Sequence, residues 1–492
     1  MTKPNRILLA LLLVFATLSA TAQSAKKPAD LILRNGRIYT SDPQHPWAEA
    51  LAVRGTKIAA VGSEADVARM QGPRTRVIDL GGRMAMPGII DSHIHFLSGS
   101  FSLGQIFLDD ARSAAEIQRR VKEYAAKHPD KKWLIGRGWN YDLFAPSGLP
   151  TKDILDAVER DGPVVLENYD GHSYWVNSKA LELAGVTRST PNVKEGDLTV
   201  GIIVRDPATG EATGVLKERA TRLIDNVTPP FSRDEKLAAL RDGLRLANQH
   251  GLTSTLDANS SVEEMDLYSE LHRRGQLTVR MTLSQGMEPQ LTPAVLNRYE
   301  GARRRFRGEW VRAGVIKAYM DGVIESHTAA MIEPYADDPS LSGSMNYTPE
   351  QFNELVRELD RRKFHVITHA IGDLGIRTTL DAYEAAAKSN GPRDRRFRIE
   401  HIENIHPADI PRFGKLGVIA SMQPLHAYPT SNLEGVWARN VGPARIANSF
   451  PWRSIAAGGA RLNFGSDWPV VTLNPFEGLQ NAVTRQRTDG TP

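Results

Sequence analysis

The sequence predicts an α/β fold: a closed (β/α)8 barrel of the TIM type, preceded by a small all-β module and carrying a large insertion after its first strand. Three observations predict it. Eight short apolar runs rich in β-branched residues recur along the chain, and seven follow a segment of helical periodicity, an alternation that builds a parallel sheet. Eight strands spread over about 390 residues suit a closed barrel with one long excursion. No glycine-rich phosphate fingerprint follows the first strand, which leaves an open doubly wound sheet as the weaker alternative.

The chain opens with "MTKPNRILLALLLVFATLSATAQS", in which Lys3 and Arg6 precede an apolar run from Ile7 to about Ala16 and a small-residue cleavage pattern at Ala20-Thr21-Ala22. This reads as a secretory signal spanning residues 1–22. The run is shorter than the roughly 20 apolar residues needed to cross a bilayer, so no stable membrane insertion is expected after cleavage. Residues 29–84, "ADLILRNGRIYTSD" through "TRVIDLGGRMA", are short alternating segments split by Asn-Gly, Arg-Gly and Gly-Gly turns, the chemistry of an all-β meander.

The barrel is expected over residues 85–485. Its first strand lies in "MAMPGIIDSHIHF", where Asp91, His93 and His95 interrupt an apolar run at every second position. Side chains at i and i+2 share one face of a strand, so His93 and His95 converge. The region from about 97 to 230 reads as a long irregular insertion with helical patches such as "SAAEIQRRVKEYAAKH". The remaining strands are "LTSTLDA", "TVRMTLSQ", "VRAGVIKAYMDG", "HVITHAIGD", "RFRIEHIEN", "VIASMQPLH" and "RLNFGSDWPV". Amphipathic segments such as "EKLAALRDGLRLANQHG" and "EQFNELVRELDRRKF" lead into them.

Composition narrows the function. With 41% hydrophobic and 24% charged residues, the 492-residue chain has the make-up of an ordinary soluble protein. A formal charge of +4, without a basic stripe interleaved with aromatics, argues against a nucleic-acid partner. The absence of cysteine removes disulfides, thiol nucleophiles and a lipid-anchored cysteine, so a free periplasmic or secreted enzyme acting on a small molecule is expected. The oligomeric state is not legible.

Active sites of such barrels lie at the C-terminal ends of the strands. The polar residues collected there are His93 and His95 from the first strand, Lys317 from the fourth, His369 from the fifth, His401 from the sixth and Asp467 from the eighth. Each taken singly is as readily a satisfied core residue or a helix cap. Lys317 is the most informative, because an ammonium among Val315, Ile316 and Ala318 is costly to bury unless neutralised or paired. A desolvated lysine becomes nucleophilic and can take up carbon dioxide as a carbamate, turning a cation into an anionic oxygen donor.

The motifs "PGIIDSHIH", "HAIGD", "IEHIE" and "GSDWPV", with a lysine on strand four, resemble the amidohydrolase superfamily. "ENYDGHSYWVNSKAL" and "DGVIESHTAAMIEPY" resemble its branch containing N-substituted formamide deformylase. The resemblance covers nearly the whole mature chain. It implies that His93 and His95 hold one divalent metal, that N6-carboxylated Lys317 bridges to a second, and that His369 and His401 hold that second ion. Asp467 would contact the first metal and handle the proton. Imidazole and carboxylate donors favour zinc, in one or two copies. Such an ion brings the pKa of water from about 15.7 toward about 7, and hydrolysis of an amide-type C–N bond in an N-acyl or N-formyl amine is the expected reaction. His172 is the first candidate for the substrate carbonyl. His327, Glu325 and His426 are weaker substrate-binding candidates, and Trp139, Tyr141, Tyr169 and Trp468 are candidate pocket walls.

Relatives with such an N-terminal module normally return to it after the barrel, whereas here the sequence stops soon after strand eight. The module is therefore expected to show unpaired edges and part of an apolar face. The alternatives to amide hydrolysis are hydrolysis of a cyclic amide or ester, a deaminase reaction, or a non-catalytic exported relic. Retention of Asp467 argues against the relic.

Overall fold

The computed structural model describes residues 27–144, 148–195, 198–427 and 435–486; the segment read as a leader lies outside them. The chain divides into two compact units, Met1–Gly88 and Ile89–Pro492.

In the first unit the strands Lys57–Gly62, Ala50–Arg54 and Leu31–Arg34 run antiparallel in that order, and Arg76–Asp79 pairs parallel to Leu31–Arg34. The Arg54-Gly55-Thr56 turn needs a left-handed residue, supplied by Gly55 at φ 56°. A second sheet joins Trp47–Ala48, Arg37–Tyr39 and Met84–Ala85. The core is small, built on Ile32, Ala50, Ala52, Val67 and Met70. The edge strand Lys57–Gly62 carries Ile58 and Val61 at the surface.

The second unit is the barrel. Its strands are β1 (Ile89–Ile94), β2 (Leu252–Asp257), β3 (Arg280–Gly286), β4 (Val311–Tyr319), β5 (His365–Ala370), β6 (Arg398–His401), β7 (Ile419–Met422) and β8 (Leu462–Phe464). Every neighbouring pair from β1 to β8 is parallel. The ring closes between β1 and the end of β8: Ser92 Oγ donates to Phe464 O at 2.7 Å, and Asp467 N, just beyond β8, donates to His93 O at 2.8 Å. That closure brings the chain after β8 onto the histidines of β1.

Helices lead into β2 to β8 as the periodicity predicts. The helix Arg233–Gln249 starts at a capping box formed by Ser232 and Glu235, and the helix Val262–Arg273 at one formed by Ser261 and Glu264. The helix Pro349–Arg361 buries Phe352, Leu355, Val356 and Leu359, one face at spacings of three and four. Each such side chain contributes about 1.5–3 kcal/mol through apolar burial.

The insertion departs from its expected irregularity. It forms a seven-stranded sheet in the order Val193–Glu195, Leu198–Arg205, Ala212–Glu218, Ser173–Val176, Val164–Asn168, Leu134–Trp139 and Ile106–Phe107. The last three strands are mutually parallel and the others antiparallel. Its strands are short, and pairings such as Leu134 with Val164 and Trp175 with Val215 are non-local, so the sheet leaves no periodic trace. Behind it Trp139, Trp175, Tyr141 and Leu166 make a core of their own.

Candidate metal centre

The C-terminal ends of the barrel strands deliver the polar side chains to one place. His93 is the fifth residue of β1, and its ring is fully buried. Its Nδ1–H donates to Glu400 Oε2 at 2.6 Å, and the other oxygen of Glu400 accepts from Arg398 at 2.8 Å. This fixes the tautomer, leaving the Nε2 lone pair to face the centre of the barrel mouth. Asp91, the first member of the alternating trio, is taken up by the backbone. It accepts the backbone N–H groups of His93 and Ser466, both at 3.1 Å, and so pins the chain next to Asp467.

Asp467 Oδ1 lies 3.3 Å from both His93 Nε2 and His95 Nε2. A cation with bonds of about 2.05 Å in tetrahedral geometry spaces its ligand atoms about 3.3 Å apart. Oδ1 is buried without a hydrogen-bond partner, as is His401 Nδ1. Leaving both unsatisfied costs about 1–3 kcal/mol each. The donor set and these orphaned atoms fit a divalent cation. Burial opposes ionisation of Asp467, but His93, His95 and His401 outweigh it and hold its carboxyl well below the usual carboxylate range. Burial, reinforced by His172 and Lys317 around His369 and by His369 beside His401, pushes both imidazoles well below their ordinary value, so both present lone pairs.

Lys317 sits two residues before the end of β4 and is 1% exposed. Its Nζ is 3.3 Å from His93 Nε2 and lies over the Tyr319 ring. Burial pushes the ammonium down to about 8, against the pull of Glu400 and Asp467. His369 donates Nε2–H to the Gly322 carbonyl at 3.0 Å, and its ring lies 4.5 Å from that of His401. Lys317, His369 and His401, with His95, Asp467, His172 and Glu218, line a cavity of about 390 Å³. A larger cavity of about 720 Å³ shares the Pro469–Val470 wall but contains none of the six candidate ligands; we place the chemistry in the smaller one, where the donors converge.

His172 comes from the insertion. Its Nδ1 meets Glu218 Oε2 at 2.9 Å, and its ring lies 5.1 Å from that of His369. Burial opposes protonation, but Glu218 and Asp170 raise the imidazole to about 9. Glu218 is held in turn by Thr328 Oγ1 at 2.7 Å and sits in the left-handed region at φ 53°. His426, four residues beyond β7, places Nε2 3.6 Å from Asp467 Oδ2 and stacks on His401. Tyr169 donates to Glu325, and both line a small pocket beside His426. Trp468 lines the larger cavity.

Two readings of the pocket are corrected. Trp139 and Tyr141 are buried in the insertion's own core, where Trp139 Nε1 donates to Leu166 O at 2.9 Å; the aromatic run belongs to packing. His327 faces the two Asp337 oxygens at 3.0 Å, packs on Tyr335, and does not line the cavity around the donors. Residues that sequence reasoning passed over are Glu400, Arg398, Glu218 and Asp321. Asp321 accepts backbone N–H groups of Ala330, Ile371 and Gly372 and ties the loop after β4 to the one after β5. For Arg398 and Glu400 a signal was present: two opposite charges two residues apart in an apolar strand tolerate burial only as a pair.

The amidohydrolase family pattern matches residues 76–491. The protein LONG AFTER FAR-RED 3 of Arabidopsis thaliana is 33% identical over 96% of this chain and 81% of its own length. An N-substituted formamide deformylase of Arthrobacter pascens is 25% identical over 94% of this chain and 85% of its own. An uncharacterized metal-dependent hydrolase from Pyrococcus horikoshii has the same fold, with a TM-score of 0.71 at 24% identity, covering 92% of this chain and 86% of that one. A parallel barrel with imidazole and carboxylate donors gathered at its mouth and a family match over most of its length lead to one conclusion: the chain belongs to the amidohydrolase family, metal-dependent hydrolases of carbon–nitrogen bonds.

Proposed function

We propose that this chain hydrolyses the amide-type C–N bond of a small N-acyl or N-formyl amine, and that the leader directs it to the periplasm or the exterior. The observation that carries the reading is the Asp467 carboxylate, with one oxygen 3.3 Å from both His93 Nε2 and His95 Nε2 and without a hydrogen bond of its own. His93, His95 and Asp467 would hold one divalent ion, zinc by the chemistry of the donors, and Lys317, His369 and His401 would serve a second. The ion supplies Lewis acidity that polarises a carbonyl and acidifies a water. The nearness of Lys317 Nζ to His93, and a pKa of about 8, support N6-carboxylation of that lysine.

The protein's own groups do the rest. Asp467 accepts a proton from the attacking water at a carboxylate oxygen and returns it to the departing amine nitrogen. His172, held by Glu218 and protonated at neutral pH, donates Nε2–H to the substrate carbonyl oxygen as negative charge develops there. Tyr169 and Glu325 border the same space and orient the acyl group. The N-substituted formamide deformylase among the relatives supports an amide-type substrate.

The test is bound metal per chain on wild type and Lys317→Ala, alongside turnover of a panel of N-acyl and N-formyl amines. Metal that falls in the variant together with loss of turnover supports the proposal. Folded wild type that takes up no metal when offered zinc and bicarbonate refutes it.

A further inference from the structure

We infer that Lys217 and Thr328 are positioning residues: they lock the insertion to the loop after β4 and thereby hold the His172 imidazole in register with the barrel. The need arises from connectivity. His172 belongs to the insertion, one residue before the strand Ser173–Val176, whereas every candidate metal ligand belongs to the barrel strands or the loops that follow them. Its reach to a substrate carbonyl therefore depends on how the insertion is seated, and a misplacement of about 1 Å costs about 100-fold in rate.

Lys217 makes the first link. It is the sixth residue of the strand Ala212–Glu218, is buried, and donates from Nζ to the Ser326 carbonyl at 3.0 Å. Its backbone pairs with Ser173, the neighbour of His172. Burial pushes its ammonium down to about 8, against the pull of Glu218 and Asp170. A buried ammonium is costly, and an apolar side chain of similar size would serve packing at least as well. What the lysine adds is a donor that crosses from the insertion to a barrel loop.

Thr328 makes the second link. Its hydroxyl donates to Glu218 Oε1 at 2.7 Å, and accepts from Val323 N at 2.9 Å and from Ser326 Oγ at 2.8 Å. Glu218 in turn meets His172 Nδ1 with Oε2 at 2.9 Å, and its backbone N–H donates to His172 O at 2.8 Å. A Cβ on Gly322 would collide with both Thr328 Oγ1 and Glu218 Oε1, so this close approach requires the glycine. Asn440 Nδ2 fixes the same loop from the barrel side, donating to the Ile324 and Glu325 carbonyls at 2.9 and 3.2 Å. Glu218 and His327 hold left-handed backbone at φ 53° and φ 59°, one on each side of the junction. Strain of that kind is retained where geometry matters more than stability.

The inference rests on the role proposed for His172, so geometry and rate are read separately. In the apo protein the downfield His172 Nδ1–H proton, identified by its absence in His172→Gln, is followed by NMR in wild type, Lys217→Met, Thr328→Val and Thr328→Ser. With zinc loaded and counted, kcat and KM are measured on the best substrate of the amine panel. The expected result is a sharp proton in wild type and Thr328→Ser that is lost to exchange in Lys217→Met and Thr328→Val. In those two variants kcat should fall about 10- to 100-fold with KM and bound zinc within about twofold of wild type, while Thr328→Ser keeps the wild-type rate. A purely structural role would lower the melting temperature and leave the proton and kcat in place. Retention of the proton in a Thr328→Val that melts like wild type overturns the inference, as does wild type without such a proton. Equal loss of kcat in Thr328→Ser and Thr328→Val, or a loss matched by lost zinc, overturns it too. If Lys217→Met does not fold, Lys217→Gln, which keeps a shorter donor, takes its place. Wild type that shows the proton but hydrolyses nothing in the panel refutes the hydrolase reading, and the NMR comparison still decides the positioning.

Discussion

Glu400→Gln tests the idea that the first site is built from outside inward. Glu400 is fully buried, with one oxygen accepting His93 Nδ1–H at 2.6 Å and the other accepting from Arg398. A glutamine keeps the shape but offers one acceptor and one donor. If its oxygen faces Arg398, its NH2 faces His93 Nδ1 and drives the ring to the other tautomer, with Nε2 protonated toward the centre. If its oxygen faces His93, a buried donor faces the Arg398 guanidinium. Either arrangement weakens the first cation by about 10- to 100-fold, or about 1.4–2.7 kcal/mol. Stability falls as well. Burial opposes the Glu400 charge, but Arg398 and His93 outweigh it and bring the carboxyl from 4.5 to about 2, which corresponds to about 3 kcal/mol of preference for the charged form. By linkage, that contribution is present above pH 4.5 and lost as the pH falls through about 2. Competition with a chelator of known affinity gives the metal constant, and urea unfolding of the apo protein at pH 7 gives the stability. Unchanged zinc affinity in a variant destabilised by the expected amount would refute the orienting role of Glu400 and leave it a structural ion pair.

Three further outcomes are expected. Glu264 is half-buried beside Asp257, and burial first, then that neighbour, raises its carboxyl to about 7; the folded state therefore binds more protons than the unfolded one between about pH 4.5 and 7, and stability falls across that window. Glu264→Gln, which keeps the acceptor for the Ser261 N–H, should be more stable than wild type by about 1 kcal/mol at pH 8, after discounting for solvent screening, and equal to it near pH 4.5, by urea unfolding at the two pH values. Gly465→Ala would place a Cβ 2.6 Å from His93 N and 2.8 Å from His93 Cβ, so the loop carrying Asp467 must shift; zinc affinity should drop at least tenfold, read by the same chelator competition. Trp139→Ala should cost about 3–5 kcal/mol in unfolding free energy by emptying the insertion's core, while metal content per folded chain stays at the wild-type value.

Much of the barrel was legible in the sequence because its information is local. A parallel strand buried on both faces reads as an apolar run, its lead-in helix as a 3.6-residue stripe, and the residue that ends the run lies at the active end by the rule of the fold. His93, His95, Lys317, His369, His401 and Asp467 were reachable that way, and the family resemblance in "DSHIH", "IEHIE" and "GSDWPV" supplied the chemistry. The tertiary structure decided what depends on two distant segments meeting. It turned the insertion from an irregular excursion into a seven-stranded sheet, because its short strands carry no period and declare themselves only by their partners. It withdrew Trp139 into that sheet's core and turned His327 toward Asp337, since aromatic and imidazole side chains suit a wall, a core or a surface pair equally until their neighbours are known. It brought His426 and Asp467 within 3.6 Å from loops after different strands, and set Glu400 behind His93 across 307 residues of chain. Periodicity specifies the face a side chain points to; which other faces it meets is settled only when the ring of strands closes.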